Sequence, residues 1–129
     1  NREVMAYILR NKDGSISDFS KLVWISEDGE LTHQNPDEFQ WIQKGNYKSK
    51  ETGAVYPISP SFTTKDPKSG TVRKFTVIPL MEEQEIPGKI GGVPYWEGAC
   101  EVANEKGQVI GTAYLELSGY SGNLKKRLN

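Results

Sequence analysis

The segments YWEGACEV (95–102) and GTAYLELSGY (111–120) decide the fold of this 129-residue chain. Both are rich in aromatic and small residues, and each alternates two sets of side chains with the period of two that is typical of β-strands. The polar stretch ANEKG (103–107) between them ends in glycine and predicts a short connection. Together they predict an antiparallel hairpin.

Short strand-like runs separated by turn residues make up the rest of the sequence. The longest are VMAYILR (4–10), FSKLVWI (19–25) and TVRKFTVIPL (71–80). VMAYILR is apolar on both of its alternating faces, so we expect it to be buried on both. No stretch shows a sustained helical period with end caps. We therefore predict an all-β protein of about eight to nine antiparallel strands, arranged either as a barrel or as a sandwich.

Length and charge exclude several classes of protein. At 129 residues the chain is one domain by length, and its net charge is −1, with 16 basic and 17 acidic residues. The cluster LKKR (124–127) is too short to follow a phosphate backbone, so we expect no nucleic-acid partner. No apolar run reaches the roughly 18 residues that a membrane-spanning helix needs, so we expect no membrane span.

The sequence has too few nitrogen and sulfur ligands for a usual zinc site, because Cys100 is its only cysteine and His33 its only histidine. Cys100 falls among core-like residues and is expected to be a small buried side chain rather than a nucleophile. His33 lies beside turn residues and is expected in a surface loop. We expect neither a metal nor a cofactor.

Each strand of the predicted hairpin carries a glutamate among aromatic residues. Glu97 and Glu116 fall nearly opposite each other, on a face that also carries Tyr95 and Tyr114. Two close carboxylates raise the pKa of one of them, which is the property of a general acid. Aromatic faces nearby stabilise a cation formed when such an acid protonates a carbon–carbon double bond. Glu97 and Glu116 are therefore the candidate catalytic residues.

A structural role explains the same glutamates without any chemistry. Arg10, Arg73 and Lys74 lie on other predicted strands and are available to pair with a buried carboxylate. Trp96 and Gly98 lie on the opposite face of the first hairpin strand. We expect Trp96 to be a core residue and Gly98 to leave room there for a large neighbour. In a third case one or both acids simply face solvent, and the spacing alone does not choose between a catalytic role, a structural role and exposure.

Five segments, spread over nearly the whole chain, resemble the C-terminal domain of the AttH-like, carotenoid hydratase-like (CrtC) lipocalin family. Its members are often described as predicted secreted hydrolases. The resemblance implies an antiparallel lipocalin-like β-barrel, with residues 1–129 forming a single barrel, the C-terminal domain of a longer two-barrel protein. The segments are VMAYILRNKDGS (4–15), GAVYP (53–57), EEQEI (82–86), YWEGACEV (95–102) and GTAYLELSGY (111–120).

The resemblance also carries expectations about function. It implies a hydrolase or hydratase (lyase) activity for the longer protein, an apolar, isoprenoid or lipid-like small molecule as ligand, and a periplasmic or secreted location. Catalytic residues of the hydratases are expected upstream of residue 1, so the fragment alone is expected to be inactive. Tyr47 and Phe62 stand where the family commonly has tryptophans near GAVYP, so a ligand wall there would differ.

Three functions remain open. The domain is half of an enzyme, with Glu97 or Glu116 as acid and Tyr95, Trp96 and Tyr114 lining the ligand pocket. Alternatively it is a non-catalytic lipid- or isoprenoid-binding barrel whose acids are structural. In the third case it is a purely structural domain that braces the N-terminal barrel.

Overall fold

The computed structural model describes residues 1–88 and 92–122, and these contain eleven β-strands and no helix. No helix that could cross a membrane occurs in that part of the chain. The strands form sheets of three, six and two strands, which confirms the predicted all-β, antiparallel, lipocalin-like fold class. The basic cluster at 124–127 lies outside the described residues. The strands are β1 Glu3–Tyr7, β2 Lys21–Ile25, β3 Leu31–Gln34, β4 Phe39–Ile42, β5 Asn46–Lys48, β6 Val55–Pro57, β7 Ser61–Lys65, β8 Val72–Pro79, β9 Glu85–Ile86, β10 Tyr95–Ala103 and β11 Val109–Leu117.

The described strands outnumber the eight to nine predicted because three of them, β3, β5 and β9, are too short to leave a pattern in the sequence. β3 has four residues, β5 has three and β9 has two. Such short strands present only one or two side chains to each face, so their period cannot be recognised from the sequence.

The chain divides into two compact units. The first comprises residues 1–41 and 62–74 and contains the three-stranded sheet, in the order β1-β2-β3. The second comprises residues 42–61 and 75–129 and contains the hairpin β5-β6, most of β8, and the strands β9, β10 and β11.

One face of the three-stranded sheet forms the core of the first unit. Leu22 is fully buried and Trp24 is 5% exposed, both on the central strand β2. The expectation that both faces of β1 are buried is wrong in this chain, because Met5 is 52% and Tyr7 46% exposed. His33 is exposed, as predicted for a surface residue, but it lies on β3 and not in a loop.

The long hairpin β10–β11 organises the second unit, and its antiparallel pairing confirms the prediction. β8 and β9 pair with β10 as well. Trp96 and Cys100 are buried on one face of β10, and burial raises the pKa of the Cys100 thiol. Gly98 leaves room for a neighbour, as predicted: a Cβ at this position would lie 2.2 Å from the carboxamide of Gln84.

Candidate functional site

Glu97 and Glu116 are direct partners in the β10–β11 register, as the sequence predicted. Their side chains therefore share a face of the hairpin with Tyr95 and Tyr114. Tyr95 Oη donates to Glu97 Oε1 at 3.5 Å, and Ser118 Oγ donates to Glu116 Oε1 at 3.4 Å. Both contacts are at the long limit of hydrogen bonding, so they hold the carboxylates only weakly.

The two tyrosines of this face keep their protons. Desolvation, followed by the charges of Glu97 and Glu116, raises the pKa of the Tyr95 hydroxyl. Desolvation and then the charge of Glu97 raise the pKa of Tyr114 as well, although solvent screens the effect because this side chain is 67% exposed. Both hydroxyls therefore remain neutral hydrogen-bond donors near neutral pH.

Trp96 lies on the opposite face of β10. Its ring is fully buried, and its Nε1 donates to the backbone oxygen of Glu82 at 2.8 Å. The structure thus brings the two glutamates and the two tyrosines of the predicted site together and places Trp96 on the core side. The catalytic and ligand-binding roles of these five residues stay predictions.

A shallow groove of about 240 Å³ runs beside the predicted residues and is open to solvent. The Ser121 hydroxyl donates to the Pro94 oxygen at 2.8 Å, which fixes one wall of the groove. Pockets for drug-sized ligands span about 300–1,000 Å³, so this groove has room for one ring or a short branched hydrocarbon. It is lined by Val93, Pro94, Tyr95, Glu116, Ser118 and Gly119.

A cluster of hydroxyl donors surrounds a second carboxylate, that of Glu85 on β9. The hydroxyls of Ser49, Thr52 and Tyr56 each donate to this carboxylate at 2.7 Å. Burial alone would raise the pKa of Glu85, but the three donors outweigh it and lower the pKa below its ordinary value. Burial and the bond to Glu85 raise the pKa of Tyr56, so its hydroxyl keeps its proton. Glu85 is thus an ionised, hydrogen-bonded anchor.

An aromatic contact extends the Glu85 cluster to the end of the second unit. The ring centroids of Tyr56 and Tyr120 are 5.8 Å apart, and Gln43 donates through Nε2 to the Tyr120 hydroxyl. Tyr56 belongs to the segment GAVYP, Glu85 to EEQEI and Tyr120 to GTAYLELSGY. Three of the five segments that carry the family resemblance therefore meet at one packed cluster.

Asp66 is the most strongly held carboxylate of the first unit. Arg2 donates to both of its oxygens, at 2.6 and 2.7 Å, and the backbone N–H of Lys68 donates at 2.8 Å. The guanidinium of Arg2 holds the pKa of Asp66 well below its usual range. It also lies 4.8 Å from the centroid of the Trp24 ring. Arg73 was also expected as a partner for the hairpin acids, and its Nη1 lies 3.9 Å from Oδ2 of Asp66.

Sequence reasoning missed both of these held carboxylates. Asp66 lies in the turn segment KDPKSG (65–70), and an aspartate that accepts backbone N–H bonds two residues ahead is a common feature of such turns. Glu85 lies in a polar stretch with no strand pattern, and only its place in a segment resembling the family marks it. Among the described residues, no group of three or more His, Cys, Asp or Glu is placed to hold a metal ion.

Comparison with known proteins agrees with these observations. Among solved structures, a protein of Nitrosomonas europaea with the provisional designation AttH matches with 29% sequence identity and a TM-score of 0.78. The match covers 94% of this chain and 35% of that chain, so the chain spans about one third of that protein's length. No curated protein matches the chain. The AttH-like family model matches residues 1–120, and the chain therefore belongs to the AttH-like family.

Proposed function

We propose that this domain binds a small apolar molecule, isoprenoid or lipid-like, in the groove beside β10 and β11, without catalysing a reaction on it. One observation carries the proposal: Tyr95 and Glu116, selected from the sequence, both line the same groove. Val93, Pro94 and the Tyr95 ring supply an apolar wall, and Glu116 supplies a polar end that accepts a hydrogen bond from a ligand hydroxyl.

Hydrogen bonding and exposure favour binding over catalysis. A general acid works best where burial keeps it protonated near neutral pH. Glu116 is exposed and Glu97 is only half-buried, whereas Asp66 and Glu85 are occupied by hydrogen-bond donors. The hydrolase or hydratase activity that the resemblance implies would therefore lie in the remainder of a longer protein. A periplasmic or secreted location belongs to the same proposal.

A second candidate function is bracing, in which the domain stabilises the rest of a longer AttH-like protein. It is favoured by the length of the solved relative, of which this chain covers 35%. It is also favoured by the two anchors at Asp66 and Glu85, because satisfied buried polar groups make a rigid support.

Titration with geraniol, a short isoprenoid alcohol, tests the binding function. Two-dimensional NMR of the labelled chain is expected to show saturable shifts at Val93, Tyr95 and Ser118. Tyr95→Ala is expected to weaken binding at least about tenfold, because a tyrosine that lines a site is a frequent hot spot. The matched control Tyr7→Ala removes a half-exposed tyrosine of the first unit and should leave the affinity unchanged. Shifts confined to other residues, or no saturable binding, would refute the proposal.

A further inference from the structure

The strand β11 forms an open edge of its sheet. It stands at the end of the strand order, and within residues 1–88 and 92–122 it pairs only with β10. Residues 111–117 pair with β10 without a break, because the register shift lies before them, opposite Val109. An edge strand presents a row of unpaired backbone N–H and C=O groups that another strand can bind. The regular stretch 111–117 is therefore a template for a further strand.

The hydrogen bonds of β10 show which way its backbone groups point. The Glu97 N–H donates to the Gln84 oxygen at 3.3 Å, and the Leu80 N–H donates to the Ala99 oxygen at 3.0 Å. Gln84 and Leu80 both lie on the side of β10 that is away from β11. Alternate residues of a strand bond to opposite neighbours. Glu97 and Ala99 therefore make no backbone hydrogen bonds to β11.

The partners of these two residues on β11 direct their backbone groups to the open edge. Glu97 pairs with Glu116, and Ala99 pairs with Tyr114. Because these pairs exchange no hydrogen bonds, the N–H and C=O groups of Glu116 and Tyr114 point away from β10. The same alternation gives this direction to Thr112. Three residues of the regular stretch thus offer a donor and an acceptor to another strand.

β11 has none of the usual protections of an edge strand. Such strands are commonly short, or they carry Lys or Pro residues that prevent further pairing. β11 has nine residues, VIGTAYLEL, without Lys, Arg or Pro, and its single charge is that of Glu116. Val109, Ile110 and Tyr114 are 54%, 52% and 67% exposed. The strand is therefore long, nearly uncharged and uncovered.

A second copy of the chain is complementary to this edge. When two copies of 111–117 pair antiparallel around a two-fold axis, the register that overlaps the whole stretch places Tyr114 opposite Tyr114 of the second copy. Thr112 then lies opposite Glu116 of the second copy, so its hydroxyl is placed to donate to that carboxylate and the two like charges do not face each other. Thr112, Tyr114 and Glu116 each donate and accept one backbone hydrogen bond in this register.

An apolar row on the hairpin surface favours the same arrangement. Leu80, Ala99 and Tyr114 are neighbours across adjacent segments, and all three are exposed. Leu80 is 64% exposed. In the two-fold register this row continues through Tyr114 of the second copy, and paired aromatic residues on one face stabilise a sheet. Side chains as well as the backbone therefore gain contacts.

From these observations we infer that the chain forms a two-fold dimer in which β11 pairs antiparallel with β11 of a second copy, centred on Tyr114. The inference goes beyond the proposed ligand binding and does not depend on it. An interface of one strand pair is small, so we expect a dissociation constant on the order of 100 µM.

Amide hydrogen exchange of the isotope-labelled 129-residue chain, measured by NMR, tests the pairing without any substitution. The Tyr114 N–H faces solvent in a monomer and is bonded in the dimer. Its exchange should therefore slow about threefold between about 50 µM and about 1 mM chain, because the monomer fraction falls by mass action. Lys12, in an exposed turn, is the control and should exchange at the same rate at both concentrations. An unchanged rate at Tyr114 would refute the dimer.

Thr112→Pro tests the backbone of the edge by mutation. Proline has no N–H, and because the Thr112 N–H points outwards, its loss leaves the ladder with β10 intact. Size exclusion with light scattering should show the wild type rising with concentration from 14.4 kDa towards twice that mass. Thr112→Pro should stay at the monomer mass. Thr112→Ala keeps the N–H, so this matched control should still dimerise.

Other outcomes overturn the inference in distinguishable ways. A wild-type chain that stays monomeric over this range of concentration leaves the edge to a strand of another protein. A dimer that survives Thr112→Pro uses another surface. If Thr112→Ala dissociates the dimer as fully as Thr112→Pro, side chains and not strand pairing hold it. If Thr112→Pro fails to fold, the exchange rate at Tyr114 decides. The absence of geraniol shifts would count only against the proposed ligand binding.

Discussion

Asp66 directly follows a strand of the first unit and Glu116 lies within a strand of the second, and the surroundings of these two carboxylates are opposite. The Asp66 side chain is 3% exposed and receives two hydrogen bonds from Arg2. Glu116 is exposed and stands directly across from another carboxylate, Glu97. The first arrangement stabilises the fold, whereas the second adds repulsion to a hairpin that folds in spite of it. A residue that destabilises its surroundings is a better candidate for function than one that stabilises them.

Asp66→Asn should have the largest effect. The change keeps the shape of the side chain but leaves the Arg2 guanidinium without its counter-charge, so we expect the free energy of unfolding to fall by about 3 kcal/mol. Urea denaturation measures it. The control Asp18→Asn removes an exposed aspartate and should not change the midpoint. Equal losses in the two variants would mean that net charge, and not the Arg2 pair, is responsible.

Acid should remove the stabilising contribution of Asp66. Its pKa in the folded chain lies below the value of about 4 in the unfolded chain, so the unfolded state takes up the proton first. The contribution is complete above about pH 5 and is lost as the pH falls towards the folded pKa. The free energy of unfolding should therefore drop between about pH 5 and pH 2. Asp66→Asn should flatten this slope, and an unchanged slope would contradict the assignment.

Glu85→Gln should cost less, about 2 kcal/mol, because three hydroxyl donors lose their ionised acceptor but keep a neutral one. Thermal unfolding monitored by circular dichroism measures the loss. Tyr56→Phe removes one of the donors, and we expect about half the effect. A larger loss in Tyr56→Phe than in Glu85→Gln would show that the Tyr56 hydroxyl, and not the charge of the carboxylate, holds the cluster.

Gly98→Ala tests the packing of the hairpin without changing its charge. The added methyl group would meet the Gln84 carboxamide at 2.2 Å, and the end of that flexible side chain must move away. We expect a loss of about 1 kcal/mol in urea denaturation. Gly111→Ala on the partner strand is the control, since a Cβ there has no atom within 4 Å and should not destabilise the chain. Comparable losses would point to strand propensity instead.

Glu116→Gln should have the smallest effect and the opposite sign from Asp66→Asn. Removing one of two directly opposed like charges relieves repulsion, so the melting temperature should stay or rise slightly. The rise should be larger at low salt, because surface charges are then less screened. Differential scanning calorimetry at two salt concentrations measures it. A fall in melting temperature would show that this carboxylate stabilises the hairpin.

The features that the sequence predicted correctly are local ones. The loop ANEKG (103–107) and the alternation of its flanking segments bring Glu97 close to Glu116, and a register shift between Val102 and Ala103 then makes the two residues direct partners. The space at Gly98 follows from the same alternation. These inferences need only residues that are close in sequence or related by one hairpin.

The hydrogen bonds of Asp66 and Glu85 join residues that are far apart in the sequence, so no local pattern predicts them. Arg2 and Asp66 are 64 positions apart in the sequence, and Tyr56 and Glu85 are 29 apart. A donor and an acceptor at such separations meet only after the sheets have formed, so their residue types carry no sign of the pairing. The half exposure of Met5 could not be predicted either, because the type of an apolar residue does not show whether other residues cover it.

Because Cys100 is buried, the rate at which its thiol is labelled measures how often the longest strand pair opens. It is the only cysteine in the sequence, it is 1% exposed, and burial raises the pKa of its thiol. A thiol reagent therefore reacts only during the moments when β10 separates from its neighbours. The labelling rate in native buffer counts those openings directly, and any ligand or partner that holds the hairpin closed should slow it.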